Sequence, residues 1–315
     1  MGTPFATTAP SNLYAFLLRL RPLQPGTLMA FSGELVHGAW MHSLGEVAPD
    51  VAKWLHNDNK LRLFTCSSLQ FPLSRQRMLE VECENVHLPL DPDKTYTVRI
   101  TLLRGELFPL CYDMLTRLTA TKKSPAMQIG KQLFSLDEVL IENGDPSGWT
   151  GFTSLNTLIE KAKALHSGST ESLKLEFASL TTFSRGNAKN KMYGNHYARV
   201  PLPAYVFPNL AKRWQELAPP ELVNIVQMER IEQYALDEGI VIADYDLKPH
   251  TMKFTTHWQE GFVGMCTYHL RGPNEPTTGD APLTLKQQIM LLGQLAFYCG
   301  VGYKTAMGMG QTRKV

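Results

Sequence analysis

The stretch 300–310 reads Gly-Val-Gly-Tyr-Lys-Thr-Ala-Met-Gly-Met-Gly, two Gly-x-Gly pairs with five residues between them. Glycine accepts positive φ angles and lets another backbone approach closely. Lys304, Arg313 and Lys314 accompany the glycines. Four glycines with cations nearby favour a loop that holds a phosphate chain. A tight helix-to-strand connection without a ligand is the alternative.

Two common nucleotide-binding patterns do not fit this loop. A Walker loop requires Gly-Lys-Ser/Thr followed by a helix, whereas Tyr303 follows Gly302 and few residues come after the loop. A dinucleotide fingerprint requires a third glycine where Thr305 stands, and a helix after the loop. Apolar spacing instead predicts a helix at 283–298 before the loop and a short strand at 311–315 after it. An anionic polymer is therefore favoured over a nucleotide cofactor.

Length and composition limit the class of protein. A chain of 315 residues suggests about two domains, and 43% hydrophobic with 19% charged residues is typical of a globular protein with a sizeable core. The net charge is only +2, so the overall balance does not indicate nucleic acid. The five cysteines contain no Cys-x-x-Cys pair, which predicts reduced thiols and argues against a disulfide framework or a zinc ribbon.

The location of the protein is expected to be cytoplasmic. No apolar run approaches the roughly 20 residues that cross a bilayer. The apolar stretch near the N-terminus is interrupted by Arg19 and Arg21, unlike a signal peptide.

Hydrophobic periodicity predicts the same order of elements in both halves of the chain. In residues 1–142 we expect strands at 12–23, 61–71, 79–86, 95–103 and 127–141, and helices at 34–44, 51–56 and 106–118. A connection at 143–169, with a helical patch at 155–165, leads to a second domain at 170–315. There we expect strands at 172–183 and 226–245, a hairpin of 251–258 with 261–270 turning at Gln259-Glu260, and helices at 208–217 and 283–298.

This order predicts an α+β fold with two tandem ferredoxin-like βαββαβ domains and a C-terminal glycine-rich loop. A single larger α+β domain is the alternative.

Positive charge is concentrated in the window 177–215, which contains no Asp or Glu. Its six cations are Arg185, Lys189, Lys191, Arg199, Lys212 and Arg213. Cations neutralise phosphates, and the tyrosines of 185–197 could stack on bases. The window predicts RNA or single-stranded DNA binding, with a solvated hairpin tip as the alternative. A second acid-free window, 114–136, gives a weaker signal.

Three residues near the N-terminus suit metal-free cleavage of RNA by its own 2′-hydroxyl. His37 and His56 are candidates for the two proton-transfer roles, because the ordinary pKa of histidine, about 6.5, is close to working pH. His56 is expected at the end of a short helix, where the dipole favours the charged ring. Arg62 would supply fixed positive charge. The alternatives are a core role for His37, a helix terminus without catalytic function for His56 and a surface role for Arg62, and His42 is interpreted as structural.

Other catalytic patterns are not indicated. The sequence has no His-Glu-x-x-His and no carboxylates at metal-ligand spacing, so we expect no metal site and no cofactor. It has no Gly-x-Ser-x-Gly nucleophile motif.

The chain resembles the CRISPR-associated endoribonucleases that process precursor CRISPR RNA, within the repeat-associated mysterious protein (RAMP) superfamily. The 300–310 loop is similar to the glycine-rich signature of that superfamily. The segment 33–39, the pair Leu55-His56 and the stretch 62–65 are similar to the family's first helices and catalytic segment. Further similarities lie at 183–185, 201–203, 213–214 and 261–264.

The resemblance implies two RAMP-type ferredoxin-like domains and cleavage within the repeats of precursor CRISPR RNA. Cleavage would be metal-independent and would leave a 2′,3′-cyclic phosphate and a 5′-hydroxyl. His56 matches the family's usual catalytic histidine, His37 a position that is often tyrosine or histidine, and Arg62 a position that is often lysine. The candidate RNA-binding residues are Arg185, Lys189, Lys191, Arg199, Gly300, Gly302, Lys304, Gly308, Gly310 and Arg313.

The candidate partners are repeat RNA and other subunits of a CRISPR ribonucleoprotein complex. A non-catalytic RNA-binding scaffold from the same superfamily is the alternative function, and a nucleotide-cofactor enzyme is a third that the loop's position disfavours.

Overall fold

The computed structural model describes residues 12–57, 62–120, 127–166, 171–185, 196–272 and 282–315. The chain divides into two compact units. The first unit comprises Met1–Thr153, Met252–Trp258 and Ala306–Gly308, and the second comprises Ser154–Thr251, Gln259–Thr305 and Met309–Val315. The predicted domain boundaries at 142 and 170 stay predictions.

The first unit is built on an antiparallel sheet. The strands of this unit are β1 (Asn12–Pro22), β2 (Gly26–Met29), β3 (Phe64–Cys66), β4 (His87–Leu90), β5 (Tyr96–Leu102), β6 (Met127–Ile129), β7 (Gln132–Leu140) and β8 (Gly151–Ser154), of which β2 and β4 form a separate two-stranded sheet. Its helices are α1 (Gly33–Val47), α2 (Pro49–Asn57), α3 (Arg75–Glu84) and α4 (Leu107–Ala120). Alternation along β1 decides which face is buried, because Leu18 and Leu20 enter the core while Arg19 pairs with Glu138 in solvent.

The strand order identifies the topology of this unit. The main sheet runs β3-β5-β1-β7-β6, with β8 also paired to β1, and β1 is antiparallel to both β5 and β7. Along the chain the core is β1-α1-β3-β5-α4-β7, so its four strands lie in the order second, third, first, fourth. That order is the ferredoxin-like arrangement.

The second unit repeats this arrangement. Its elements are α5 (Leu155–Lys163), β9 (Ser172–Thr181), β10 (Phe183–Arg185), β11 (His196–Ala198), α6 (Pro203–Leu217), α7 (Met228–Leu236), β12 (Ile240–Lys253), β13 (Trp258–Leu270), α8 (Leu285–Cys299) and β14 (Thr312–Lys314). The four-stranded sheet has the order β12-β13-β9-β14, again second, third, first, fourth. A capping box of Thr284 and Gln287 begins α8, whose apolar face is fully buried.

The predicted fold class is confirmed, but some predicted elements are wrong. Residues 79–86 are not a strand, since most of them lie in α3. The region 226–245 contains α7 before β12 begins. The hairpin of β12 and β13 turns at 254–257, so Gln259 and Glu260 lie within β13. The region 127–141 is two strands joined at Gly130, whose φ is +62°.

Among the described residues, no helix combines the length and the apolar character that a membrane span requires.

Candidate active site and RNA-binding surface

His37 lies on α1 in the first unit and is held by a contact from the end of the chain. Its Nδ1 is 2.9 Å from the carbonyl oxygen of Ala306, 269 residues away in sequence. Its ring also stacks on Phe64, with ring centroids 5.5 Å apart. A carbonyl only accepts hydrogen bonds, so Nδ1 must carry the proton. The neutral ring therefore presents an unprotonated Nε2, which is the arrangement that a general base requires.

The surroundings of His37 keep it neutral. Burial lowers its pKa below the ordinary 6.5, and the hydrogen bond to Ala306 opposes this in part. The positive charges of Arg62 and His56 lower the pKa further, while Glu34 raises it. The three residues predicted to be catalytic thus share one electrostatic environment in the first unit.

The second glycine pair fixes the carbonyl that holds His37. The Cys66 thiol donates to the same Ala306 oxygen at 2.8 Å, and the Gly308 amide donates to the Cys66 carbonyl at 3.0 Å. At Gly33, where α1 begins, an added Cβ would lie 2.2 Å from the Met307 carbonyl oxygen. The close approach of these two backbones therefore requires glycine.

His56 lies at the end of α2, and Arg62 binds the backbone of the same helix end. His56 is exposed in the last turn of this helix. The Arg62 guanidinium donates to the carbonyl of Leu55, one of the helix-end carbonyls that lack an intrahelical partner. Arg62 therefore fixes the turn that carries His56, and a guanidinium retains further N–H donors for a phosphate.

Sequence reasoning missed the residues that hold these groups in place. Ala306 acts through its backbone carbonyl, which has no signature in the sequence. Cys66 has no distinctive neighbours in the sequence, and only the fold places its thiol against Ala306. Glu34 accepts hydrogen bonds from the amide and the hydroxyl of Thr255, both at 2.7 Å. These contacts form only on folding, and no local sequence pattern predicts them.

The amides of the four loop glycines all have acceptors inside the protein. Gly300 donates to Ala296 at 2.9 Å and Gly310 to Leu180 at 2.9 Å. Gly302, with φ of +85°, donates to the Asn209 side chain at 2.9 Å. With Gly308 bonded to Cys66, these amides are not available as a phosphate nest. Any contact of this loop with RNA would therefore depend on its side chains, so the role predicted for these glycines stays a prediction.

Several predicted RNA-binding cations have partners within the protein. Arg313 pairs at 2.6 Å with Glu176, which is only 2% exposed, so its guanidinium neutralises a buried carboxylate. Arg199 pairs with the exposed Glu260. The Lys304 Nζ lies 5.6 Å from the centroid of the Tyr303 ring. These three cations stay predictions as RNA contacts.

Part of the basic window 177–215 is outside the structural description. Lys189 and Lys191 lie outside the described residues. The backbone of Arg185 is in β10, opposite His196 of β11. Arg213 donates to the Gly302 carbonyl at 3.0 Å and to the Thr305 hydroxyl at 3.3 Å. It therefore braces the glycine loop from α6.

A metal centre is not evident in the part of the chain that the structure describes, where no group of three or more His, Cys, Asp and Glu side chains is arranged to hold an ion.

Comparison with known proteins identifies the family. The model for the CRISPR Cas6 N-terminal domain matches residues 12–160, and the model for CRISPR-associated endoribonuclease Cas6 matches residues 175–312. No curated protein matched the chain.

Solved Cas6 structures share the fold over nearly the whole chain. Thermus thermophilus Cas6 is 22% identical with a TM-score of 0.63, covering 98% of this chain and 100% of the other. The same protein in a product complex is 21% identical with a TM-score of 0.68, covering 97% and 100%. A Cas6-related protein from Pyrococcus furiosus is 12% identical with a TM-score of 0.56, covering 96% and 98%. Since the two family models together span both units, this chain belongs to the Cas6 family of CRISPR-associated endoribonucleases.

Proposed function

We propose that this protein cleaves the repeats of precursor CRISPR RNA through His37, His56 and Arg62, without a metal ion. The observation that carries the proposal is the bond from His37 Nδ1 to the Ala306 carbonyl. It leaves Nε2 as the basic nitrogen of a ring that burial keeps neutral. Family membership supplies the substrate class, and Cas6 structures in product and substrate-mimic complexes have the same fold.

The proposed reaction divides the proton transfers between the two histidines. His37 Nε2 removes the proton of the 2′-hydroxyl, and the 2′ oxygen forms a bond to the adjacent phosphorus. The bond from phosphorus to the 5′ oxygen breaks, and His56 donates a proton to that oxygen. The products are a 2′,3′-cyclic phosphate and a 5′-hydroxyl, and each positioned proton transfer contributes typically ~10²–10⁴-fold to the rate.

Arg62 has a charge-stabilising and a positioning role in this proposal. A guanidinium is a poor proton donor because it does not deprotonate in proteins, but it binds phosphate in a fork. Arg62 would stabilise the pentavalent phosphorus through its remaining N–H groups while it holds the end of α2.

The direct test is incubation of the purified protein with repeat RNA in EDTA, followed by end-group analysis of the fragments. We expect a 2′,3′-cyclic phosphate and a 5′-hydroxyl. His56→Ala should reduce cleavage by about 10²–10⁴-fold and leave RNA affinity nearly unchanged. Equal cleavage by His56→Ala and the parent would contradict the role of His56. Tight binding without any cyclic-phosphate product would instead indicate an RNA-binding scaffold.

The basic window 177–215 is a candidate RNA-binding segment. We infer that Arg185, Lys189 and Lys191 contact phosphates, supported by the absence of acids from 177–215. Other subunits of a CRISPR complex are further candidate partners.

A further inference from the structure

A cavity of about 420 Å³ opens in the second unit beside the glycine loop. Its volume is within the range of roughly 300–1,000 Å³ that small-molecule sites occupy. The lining combines three aromatic side chains with four polar ones, namely Phe183, Tyr205, Tyr303, Ser184, Asn209, Lys212 and Glu232. The proposed cleavage reaction uses none of these side chains, and of them only Lys212 is one of the six cations of the basic window 177–215.

The aromatic side of the cavity offers faces on which a base could stack. The rings of Phe183 and Tyr205 have centroids 5.9 Å apart. Tyr303 is 40% exposed although it belongs to the otherwise packed glycine loop. Its ring is approached by the Lys304 ammonium and lies 6.3 Å from the ring of Tyr197. A partly exposed aromatic ring beside a cation is a usual platform for an unpaired base.

The polar side of the cavity offers hydrogen-bond donors. The Gly302 amide donates to Oδ1 of Asn209, so the Nδ2 group of Asn209 points its hydrogens elsewhere, and no described residue accepts them. Lys212 is exposed at the cavity and has no carboxylate partner among the described residues. The ammonium of Lys212 is therefore available for a phosphate.

The same cavity also offers hydrogen-bond acceptors. Glu232 contributes a carboxylate to the lining. Pro208 lies inside α6 and has no N–H, so the usual bond from position 208 to the Ala204 carbonyl cannot form. Ala204 and Pro208 both line the cavity. The Glu232 carboxylate and the Ala204 carbonyl are therefore candidate acceptors for an exocyclic amino group. Adenine, cytosine and guanine carry such a group, and uracil lacks it.

We propose that this cavity binds one unpaired, amino-bearing nucleobase of the RNA that the protein processes, stacked on Tyr303. Lys212 contacts the phosphate attached to that nucleotide, and Glu232 accepts the amino hydrogens. The proposal rests on the proposed function for the identity of the RNA. It adds a base-reading site in the second unit to a reaction that takes place in the first.

The test compares short fluorescent RNAs that differ only in their bases. Fluorescence anisotropy would measure affinity for an adenosine hexamer, a uridine hexamer and a hexamer of abasic riboses with the same phosphates. The parent protein should bind the adenosine hexamer most tightly. Tyr303→Ala should weaken that binding by roughly 5- to 150-fold, the effect of losing one stack, and leave the abasic hexamer unaffected. Tyr303→Phe retains the ring and should retain the affinity.

Matched controls separate the cavity from the general surface. Tyr245→Ala removes a tyrosine that is 66% exposed on β12 and does not line the cavity, so it should change nothing. Glu232→Gln should reduce the preference for adenosine over uridine. Lys212→Ala should weaken binding of all three hexamers and flatten the dependence of log affinity on log salt by about 0.7.

The outcomes distinguish this proposal from the proposed nuclease activity. Equal affinity of the parent for adenosine and abasic hexamers, or unchanged adenosine binding by Tyr303→Ala, would overturn the cavity assignment even if repeat RNA is cleaved normally. Base discrimination that depends on Tyr303 in a protein without cleavage would keep the cavity assignment and overturn the nuclease. Thermal melts of each variant would confirm that it is folded.

Discussion

At the scale of single residues, the proposed chemistry depends on which nitrogen of His37 carries the proton. Nδ1 faces the Ala306 carbonyl and therefore holds a hydrogen, so Nε2 is the basic nitrogen. Burial and the charges of Arg62 and His56 lower the pKa of His37, which keeps the base available in mildly acidic solution.

The first prediction concerns the pH dependence of cleavage. The ring of His37, followed by NMR, should titrate with a midpoint below the ordinary pKa of about 6.5. Above that midpoint the ring is neutral and can accept a proton, so the single-turnover rate should fall as pH drops through it. His37→Gln should abolish this fall of the rate at low pH and reduce the rate by about 10²–10⁴-fold. A midpoint above 6.5 would contradict the assignment.

His42 provides the control for this experiment on the same helix. It is exposed and lies 3.6 Å from Glu46 at i,i+4 spacing. His42→Gln should therefore leave both the rate and its fall at low pH unchanged.

The lowered pKa of His37 also has a consequence for stability. Because the unfolded chain binds this proton more readily, the folded state loses stability as pH falls below about 6.5.

At the scale of elements, the start of α1 is locked to the tail of the chain. The Gly33 backbone lies so close to Met307 that an added methyl group would be 2.2 Å from its carbonyl oxygen. At Gly38, four residues from His42 on the same helix, nothing lies within 4 Å of an added Cβ. The two glycines thus differ in environment although both are helical.

The second prediction uses this pair of glycines. Gly33→Ala should lower the free energy of unfolding by about 1–3 kcal/mol, because the tail must move to admit the methyl group. That movement should also displace the Ala306 carbonyl and reduce cleavage. Gly38→Ala should raise the free energy of unfolding by about 0.4–1 kcal/mol, since alanine restricts the unfolded chain. Urea denaturation measures both, and equal effects would contradict the packing described at Gly33.

Helices and strands were predictable from the sequence wherever the apolar residues recur with a single clear period, helical or alternating. The alternation of β1 and the helical spacing of α4 and α8 agree with their sequences. In α3 the apolar and acidic residues of 79–84 alternate as in a strand, yet the segment is helical. The Ser74 side chain caps its first turn, and Arg77 pairs with Glu80 and Glu84. Capping and ion pairs at helical spacing outweigh a short alternating pattern here.

At the scale of the whole molecule, the candidate site was predictable only in its residue types. His37, His56 and Arg62 come from the N-terminal part of the sequence, where their chemistry is visible without coordinates. The Ala306 carbonyl that fixes the base was not predictable, because a backbone group has no signature in sequence. The sequence predicts an unusual loop at 300–310, but the amides of its four glycines donate to acceptors within the protein.

The last prediction concerns how the molecule as a whole holds RNA. If the window 177–215 neutralises phosphates, log affinity for repeat RNA should fall linearly with log salt concentration. The reason is that Lys and Arg side chains that bind phosphates release the counterions condensed on the RNA. Replacing Lys189 and Lys191 by alanine together should flatten the slope by about 1.4, at about 0.7 per single-stranded phosphate contact. Lys94 and Lys163 are suitable controls, since Asp91 and Glu160 already pair with them. Their double replacement should leave the slope nearly unchanged. An unchanged slope in the first variant would instead mean that Lys189 and Lys191 are solvated and that RNA binds elsewhere on the protein.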